Sequence, residues 1–534
     1  MTATMTGGQA VVQSLAAHGM RVLFGLPGVQ NDWLYNALYD AAGQIRVIHT
    51  RHEQGAGYMA LGYAVATGGI GLCSVVPGPG VLNASAALAT AYGLGARLFL
   101  LAGQIPLSRI GKSLGALHET PDQPGLLRSL TKLATRIEHP STAPFKVAEA
   151  IAHLNSGRPR PVAVEVPMDV LAQRAAVDLR IPSIEITEAP LDGDAIEAAA
   201  RVIGEAKNPM IFVGGGAQGV ASEVRELAEL LQAPVASYRT GRGVLDGRNP
   251  LSCMLPEARS LWKEVDVAIA LGCSARTALE SWGLKGRKLV RIDVDPVVHG
   301  QFAQPTVAIA ARLEDALPAL LSSLPRYNVA RPSRAMQMAE VHRAWVERSA
   351  VLQPQLDFLQ AIRVALGEDG IFVDELTQVG FASRIAMPVY RPRTYISTGY
   401  MGTLGYGFPT ALGAKVALPN RRVLSVTGDG GFLFAATELA TAVQHKINVV
   451  TVLFNNGQYG NVMQMQRELY GGRIIASELL NPDFERFVGS FGAHYARAKN
   501  PRELAHVLED AFSQERPAVI EVSVGEMTSV DQFR

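Results

Sequence analysis

Residues 422–456 read RVLSVTGDGGFLFAATELATAVQHKINVVTVLFNN, and this stretch decides the fold that the sequence predicts. Residues 422–427 are an apolar, partly β-branched run without alternation, which is typical of a strand buried on both faces of a parallel sheet. Residues 432–445 predict a helix, and residues 447–454 are a second continuous apolar run. Strand, turn, helix and strand form one βαβ unit, so the GDG turn and the asparagine pair that follow the two strands are expected at the same edge of the sheet.

The turn Gly428-Asp429-Gly430 has the composition of a metal and anion site. Mg²⁺ prefers oxygen ligands and commonly bridges protein to phosphate. Asp429 can supply a carboxylate oxygen, Asn456 an amide oxygen and Gln458 a backbone carbonyl oxygen. The glycines let the backbone approach phosphate groups, and N–H groups of the following helix point at them. The pattern predicts a diphosphate held by a divalent metal; the alternative is that these are ordinary loop residues.

Composition sets the outer limits of the prediction. A chain of 534 residues is too long for one core and suggests about three or four domains. The formal net charge of +1 argues against nucleic acid or an anionic membrane as the main partner and favours a small ligand. Cys73, Cys253 and Cys273 lack a CxxC spacing, which indicates reduced thiols rather than disulfides. Without an evident signal peptide or membrane span, we expect a cytoplasmic protein.

Further apolar runs predict alternating strands and helices on both sides of this stretch. In the middle of the chain, residues 214–219 match G-x-G-x-x-G between a strand and a helix, but no acidic strand end follows at the distance that a dinucleotide site requires. The predicted strands are residues 21–24, 45–49, 97–103, 161–167, 210–213, 265–273 and 288–294, and the predicted helices are residues 7–18, 221–231 and 334–351.

Three motifs together resemble those of the thiamin diphosphate (ThDP)-dependent 2-oxoacid decarboxylase and carboligase superfamily. They are GDG followed after 24 residues by NN, RHEQGAGYMALGYA at residues 51–64, and GTLGYGFP at residues 402–409. The resemblance covers nearly the whole chain and implies an α/β fold of three Rossmann-like, doubly wound parallel-sheet domains. The domains are pyrimidine-binding (1–176), middle (190–325) and diphosphate-binding (355–534), with a proline-containing linker at residues 177–191.

The resemblance assigns roles to residues in the first and last domains. Glu53 is implied as the activating glutamate, because a carboxylic acid bonded to the aminopyrimidine nitrogen N1′ favours the imino form that removes the C2 proton. Taken alone, Glu53 is simply a carboxylate in the first turn of a helix, which the helix dipole favours. Leu404 is implied as the apolar wedge beneath the bent cofactor, and otherwise as a core leucine. The implied cofactor contacts are Pro27, Gly28, Glu53, Asn83, Thr377, Gln378, Gly402, Leu404, Gly428, Asp429, Gly430, Gly431, Asn456, Gln458, Tyr459 and Gly460, and the implied Mg²⁺ ligands are Asp429, Asn456 and Gln458.

Within the superfamily the chain is most similar to acetolactate (acetohydroxyacid) synthase-like proteins, also through its tail VGEMTSVDQF. It departs from them at two substrate positions: Met465 stands where they carry the tryptophan of QWQ, and His118 where they carry the glutamine of FQE. We assign Met465 to substrate binding and His118 to catalysis, with a plain surface histidine as the alternative.

The resemblance implies a ThDP- and Mg²⁺-dependent enzyme that decarboxylates a 2-oxoacid and transfers the acyl carbanion to a second carbonyl. The alternatives are a simple 2-oxoacid decarboxylase of the benzoylformate or pyruvate type, a C–C lyase, and a non-catalytic ThDP-binding protein. The middle domain holds FAD in some members, ADP in others and nothing in many, and residues 251–257 of this chain depart from the GMLGMHG run of the FAD-binding members. Since Glu53 and Asp429 lie in different domains, we expect a homodimer or a dimer of dimers (homotetramer) with active sites at the subunit interface.

Overall fold

The computed structural model describes residues 2–533, which fold around three six-stranded parallel sheets. Most of the strands that the sequence predicts are continuous apolar runs, and the central ones are buried along their whole length, as parallel sheets covered by helices require. The predicted fold class, α/β with three doubly wound parallel-sheet domains, is confirmed.

The first sheet has the strand order β3-β2-β4-β5-β7-β6. Its strands are β2 (Val22–Gly25), β3 (Arg46–His49), β4 (Gly71–Val75), β5 (Leu98–Gln104), β6 (Leu133–Arg136) and β7 (Val162–Pro167), and its helices are α1 (Gly7–Ala17), α2 (Asp32–Asp40), α3 (Glu53–Thr67), α4 (Pro79–Leu94), α5 (Gln123–Leu130), α6 (Ala143–Asn155) and α7 (Met168–Ala172).

A two-stranded antiparallel ribbon joins the two ends of this first part of the chain. It pairs β1 (Thr2–Thr6) with β8 (Arg174–Asp178). Sequence reasoning did not predict the ribbon, because its strands are short and partly polar and pair across most of the domain. The strand reaches residue 178, so the expectation that the linker starts at residue 177 was wrong at that end; residues 179–192 contain neither helix nor strand.

The middle sheet has the order β11-β10-β9-β12-β13-β14, which is the 3-2-1-4-5-6 order of dinucleotide-binding folds. Its strands are β9 (Pro209–Val213), β10 (Val235–Ser237), β11 (Ser252–Cys253), β12 (Val267–Leu271), β13 (Lys288–Ile292) and β14 (Val307–Ile309), and its helices are α8 (Gly193–Gly204), α9 (Ala221–Leu231), α10 (Leu255–Leu261), α11 (Pro296–His299), α12 (Leu313–Ser323) and the connecting α13 (Ala335–Ser349).

The third sheet, β16-β15-β17-β18-β20-β19, repeats the strand order of the first. Its strands are β15 (Ile371–Val373), β16 (Tyr395–Ile396), β17 (Val423–Gly428), β18 (Val450–Asn455), β19 (His494–Ala498) and β20 (Ala518–Ser523), and its helices are α14 (Gln355–Leu366), α15 (Gln378–Ala386), α16 (Gly407–Ala417), α17 (Asp429–Leu433), α18 (Glu438–Gln444), α19 (Gly460–Leu469), α20 (Phe484–Ser490) and α21 (Pro501–Ser513).

The single helix predicted over residues 432–445 was wrong. Two short helices, α17 and α18, replace it, and a tight turn with i to i+3 hydrogen bonds at Phe434 and Ala435 separates them. The break lets the first residue of α18, Glu438, turn into the interior against the first domain. The other predicted strands and helices are present, with ends displaced by no more than three residues.

The first and third domains share one apolar core, and α3 packs directly on α16 within it. A Cβ added at Gly62 would lie 2.0 Å from the carbonyl oxygen of Thr410, and one added at Gly413 would lie 1.9 Å from that of Met59. The two helix backbones are therefore in direct contact, and only glycine fits at either crossing position.

Within residues 2–533, none of the helices combines the length and the apolar character that crossing a membrane requires.

Candidate functional site

A cavity of about 310 Å³ opens at the carboxyl ends of β15, β17 and β18. The strand order of the third sheet reverses between β15 and β17, and such a switch point is where α/β sheets bind ligands. The cavity wall contains every cofactor-binding residue that the sequence predicts in this domain: Thr377, Gln378, Gly402, Leu404, Gly428, Asp429, Gly430, Gly431, Asn456, Gln458, Tyr459 and Gly460.

Asp429 is the acidic residue of this wall, and only 1% of its surface is exposed. Asn481 Nδ2 donates a hydrogen bond to Asp429 Oδ2 at 2.7 Å and another to Asn455 Oδ1 at 3.1 Å. One carboxylate oxygen is therefore held by the protein, and the orientation of the carboxylate is fixed. Asn481 lies between helices far along the chain, and no signal in the sequence pointed to it.

The two asparagines after β18 have different surroundings. Asn455 Nδ2 donates to Glu521 Oε1 at 2.7 Å, so this side chain joins neighbouring strands. Asn456 lines the cavity, as does Gln458. Asp429, Asn456 and the backbone carbonyl of Gln458 form an all-oxygen donor set, which fits a hard divalent cation. The described residues contain no group of three His, Cys, Asp or Glu side chains that could hold a metal, and this oxygen set includes only one such side chain.

The wall also presents polar groups that a bound metal diphosphate can satisfy. Helix α17 begins at Asp429, and its glycine-rich start offers backbone N–H donors to an anion. Gln378 Oε1 is buried and forms no hydrogen bond with the rest of the described chain. Because an amide oxygen only accepts, Gln378 Oε1 fits a donor such as a metal-bound water and does not bind the diphosphate itself. The residues present therefore fit the predicted metal diphosphate.

Glu375 is a buried carboxyl group behind the cavity that sequence reasoning missed. Gly405 N donates to Glu375 Oε1 at 2.7 Å, and the Thr427 side chain hydrogen-bonds the same carboxyl group. It thus ties the turn that bears Leu404 to the strand end that bears the GDG turn. Burial raises the pKa of Glu375 to about 7, against those hydrogen bonds and with a smaller contribution from the charge of Asp374. The signal that could have found it is an acidic pair directly after the apolar run of β15.

The residues predicted in the first domain form a second group, and they do not line this cavity within the described chain. Pro27 and Gly28 follow β2, Glu53 is the first residue of α3, and Asn83 lies in α4. Asn83 Nδ2 donates to Glu53 Oε2 at 3.0 Å, so two of the predicted residues are in direct contact. All four follow carboxyl ends of strands in the first sheet.

His118 lies beside this second group, with a positive φ of 65°. Gln30 Nε2 donates to the carbonyl of Leu117 at 2.9 Å, and Gln30 Oε1 lies 3.1 Å from His118 Nδ1. Because a carbonyl only accepts, the Gln30 amide is oriented with its oxygen toward the imidazole. His118 Nδ1 therefore donates to Gln30 Oε1, and Nε2 is the ring nitrogen that this contact leaves for another partner.

Met465 lies on α19 with 48% of its surface exposed, and it is not part of the cavity wall. The same helix begins at the wall with Gly460 and Val462. The predicted substrate residue therefore follows wall residues closely in the sequence but does not line the cavity of this chain.

The glycine turn of the middle domain has a structural explanation. A Cβ added at Gly214 would lie 2.5 Å from that of Cys273, and one added at Gly216 would lie 2.8 Å from the Cα of Gly272. These glycines are required by packing between the ends of β9 and β12. Beside them, Asp295 is occupied by ion pairs with Arg158 and Arg160. The turn does not call for FAD or ADP, and neither enters the function proposed below.

Comparison with known protein families and curated proteins matches this architecture. Three family models match successive parts of the chain: the N-terminal TPP binding domain of thiamine pyrophosphate enzymes at residues 5–126, their central domain at 196–320, and their C-terminal TPP binding domain at 377–522. Thiamine pyrophosphate (TPP) is the same compound as ThDP.

Several curated proteins are similar along almost their full length. The chain is 35% identical to a probable 2-ketoarginine decarboxylase of Pseudomonas aeruginosa, with 97% of this chain and 94% of the relative covered. It is 31% identical to a probable acetolactate synthase large subunit of Methanocaldococcus jannaschii (97% and 92% covered) and 29% identical to the acetolactate synthase isozyme 1 large subunit of Escherichia coli (97% and 94% covered).

Proposed function

The chain belongs to the thiamine pyrophosphate enzymes, and from that premise we propose that it is an acetolactate synthase-like carboligase dependent on ThDP and Mg²⁺. It decarboxylates a 2-oxoacid and transfers the resulting acyl carbanion to a second carbonyl compound. The observation that supports this most is the cavity of the third domain, whose wall contains Asp429, Asn456 and Gln458 together with a glycine-rich helix start.

In this proposal the third domain holds the charged end of the cofactor. Asp429, with one oxygen already fixed by Asn481, offers the other to Mg²⁺, and Asn456 and the carbonyl of Gln458 complete the protein ligands. These residues would hold the metal that offsets the charge of the diphosphate, and the N–H groups at the start of α17 would donate to the phosphate oxygens. Leu404, in the wall of the same cavity, supports the bent form of the cofactor.

When bound, ThDP supplies a nucleophilic carbon that adds to the keto group and accepts the electron pair released as CO₂ leaves. The protein's contribution is the placement of protons. Glu53 holds a proton at the aminopyrimidine, and Asn83 keeps its carboxyl group oriented by the hydrogen bond to Oε2. Met465, exposed on α19 outside this cavity, would offer an adaptable thioether to the substrate where related synthases carry an indole.

These two halves lie in different domains, and the first-domain residues do not line the third-domain cavity within the described chain. We therefore propose that the complete site forms between two copies, the first domain of one facing the third domain of the other. The small-molecule substrate is a 2-oxoacid, and neither nucleic acid nor membrane is part of the proposal.

A simple 2-oxoacid decarboxylase is the second candidate, and His118 favours it. The contact with Gln30 occupies Nδ1, so Nε2 is the ring nitrogen that would deliver a proton in the step where a carboligase adds a second carbonyl. One of the similar proteins is also named a decarboxylase.

Product analysis separates these functions. Purified protein with ThDP and Mg²⁺ is incubated with a panel of 2-oxoacids, including pyruvate and basic side-chain members, and the products are identified by mass. A carboligase yields a hydroxyketone product together with CO₂, whereas a decarboxylase yields an aldehyde and CO₂. CO₂ release from none of the oxoacids would contradict both proposals and favour a C–C lyase or a non-catalytic ThDP-binding protein.

A further inference from the structure

Glu438 is a buried carboxyl group of the third domain that lies against the first domain of the same chain. It begins α18, nine residues after Asp429, and 1% of its surface is exposed. Its Oε1 accepts hydrogen bonds from the backbone N–H groups of Arg51 at 3.1 Å and His52 at 3.0 Å. Its Oε2 accepts from Thr441 Oγ1 at 2.6 Å. The carboxyl group is thus fixed on its own helix and directed at the residues before Glu53.

The contact extends into the first turn of α3. A Cβ added at Gly55 would lie 2.3 Å from Glu438 Oε1, so the carboxyl group rests directly on the backbone of that turn. Glu53 is the first residue of the helix, between the two N–H groups that Glu438 binds and the glycine that it touches. The Glu53 carboxyl group itself is held by Asn83. Backbone and side chain of Glu53 therefore have separate supports, one from each domain.

We propose that Glu438 is a positioning residue, which sets the place of Glu53 by holding the backbone at the start of α3. This inference rests on the proton-holding role proposed above for Glu53. Its acceptor oxygen, rather than its charge, does the holding, because both bonds that matter run to neutral backbone N–H groups. Burial raises the pKa of Glu438, which agrees with a group whose hydrogen-bonding capacity matters more than its ionisation.

The break between α17 and α18 has a purpose in this proposal. A continuous helix over residues 432–445 would carry Glu438 on the regular helical surface, whereas the turn at residues 434–437 lets it face Arg51 and His52. The segment that begins with the proposed metal ligand Asp429 therefore ends at Glu438, which holds the backbone just before Glu53.

The test compares three substitutions in the full-length protein reconstituted with ThDP and Mg²⁺. Glu438→Gln keeps an oxygen that can accept both N–H groups, Glu438→Asp withdraws the carboxyl group by one methylene, and Glu438→Leu removes the acceptor. The readouts are proton–deuterium exchange at C2 of bound ThDP, measured by NMR after acid quench, and the Kd for ThDP. Because a displaced proton-transfer group costs up to about 100-fold, we expect exchange in the Leu variant to fall about 10- to 100-fold.

The Asp variant should lie between the Leu variant and wild type, and the Gln variant within about 3-fold of wild type, since a retained hydrogen bond costs little. The Kd for ThDP should stay within about 3-fold in all three, because the diphosphate is bound by the other end of the segment. Wild-type exchange in a folded Leu or Asp variant would overturn the proposal. So would an equal loss in the Gln and Leu variants, because that would assign the effect to charge.

Glu257 offers a matched control in the middle domain. It is also buried and accepts a hydrogen bond from the backbone N–H of Met254, just before α10, at 2.6 Å. Unlike α3, α10 contains no predicted site residue. Glu257→Leu should lower thermal stability without changing C2 exchange per bound ThDP. If exchange fell as much as in Glu438→Leu, the Glu438 effect would be a general loss of folding, and the proposal would be overturned. Glu53→Gln tests the proposed function separately, because unchanged exchange there refutes the role of Glu53 whatever the Glu438 series shows. If Glu438→Leu does not fold, the Asp and Gln pair still decides the question.

Discussion

The first and third sheets have the same strand order, but the residues at their carboxyl ends differ in kind. The turn after β4 is the proline-glycine run of residues 77–80, whereas the turn after the corresponding β17 is Gly428-Asp429-Gly430. The third sheet combines an acidic residue in this turn with an asparagine pair after the next strand, so its carboxyl edge can hold a metal and a charged diphosphate. The same topology thus supplies two different half-sites, and side chains at strand ends decide which is which.

The helices α3 and α16 make the comparison closer. Each follows the edge strand next to the switch point, and each begins beside a residue with a proposed role: Glu53 starts α3, and Leu404 lies just before α16. Both helix starts are bound by buried carboxyl groups of the third domain, Glu438 for α3 and Glu375 for the turn before α16. The first domain therefore provides the proton-handling group, and the third domain provides most of the rigid support.

Removing the proposed metal ligand Asp429 should abolish the half-site of the third domain. We expect Asp429→Ala to weaken metal-dependent ThDP binding by more than about 100-fold, beyond the 10- to 100-fold typical for outer partners of a metal site. Asn481→Ala, which removes the hydrogen bonds that orient the Asp429 carboxylate and the Asn455 amide, should cost about 10-fold. Quenching of protein fluorescence by ThDP, titrated at fixed Mg²⁺, measures both.

Asp369→Ala is the control, because Asp369 is an exposed residue of the same domain that forms a surface ion pair with Arg391. It should bind ThDP like wild type. Tight, metal-dependent binding by Asp429→Ala would remove Asp429 from the metal site.

Replacing Glu53 should inactivate the half-site of the first domain while the half-site of the third domain stays intact. In Glu53→Gln we expect C2 exchange of bound ThDP to slow by about 100-fold or more, the size of a lost acid–base group, with an unchanged Kd for ThDP. Glu138→Gln, a change of an exposed glutamate in the same domain, is the control for NMR exchange. Unchanged exchange in Glu53→Gln would show that another group handles the proton.

Glu375 should make the stability of the third domain depend on pH, because burial raises its pKa to about 7. Between the ordinary pKa of a glutamate and about 7, the folded protein keeps a proton that the unfolded chain has lost. Stability should therefore fall as pH rises through this window, by about 3 kcal/mol at most. Glu375→Gln has no proton to lose, so its melting temperature should gain on that of the wild type between about pH 5 and about pH 8.

The measurement is thermal unfolding of the cofactor-free proteins, since bound metal and diphosphate would change the local field. Glu509→Gln, at an exposed ion pair with Arg422, should track the wild type across the same range. Parallel melting curves for wild type and Glu375→Gln would mean that Glu375 is already ionised in the fold.

The sequence predicted the sheets well because buried parallel strands are continuous apolar runs bounded by turn residues. It predicted part of the third-domain cavity wall, because the predicted residues lie in short segments that are each local in the chain; wall residues such as Phe381 and Val524 were not predicted. It missed Asn481 and Glu438, which reach the site through tertiary packing, and Glu375, whose only local signal is the acidic pair after β15. The broken helix was missed for a related reason: residues 432–445 have helical propensity, and the partner of Glu438 after the break, Arg51, lies almost 390 residues away in the chain.

Mixing the two inactive variants tests whether the two half-sites meet between chains. If Glu53 of one copy serves the cavity of another, a mixed dimer of Glu53→Gln and Asp429→Ala collects both lesions in one site and leaves the other intact. Activity should return to about a quarter of wild type for random exchange of subunits and about a half for complete pairing, by two-fold counting. Each variant alone, taken through the same unfolding or dilution treatment, is the control and should stay inactive. Subunit exchange itself is followed by mass, with one variant isotopically labelled. A single chain that folded its first domain onto its own cavity would carry one lesion in every site, so exchange without any return of activity would show that the halves meet within one copy.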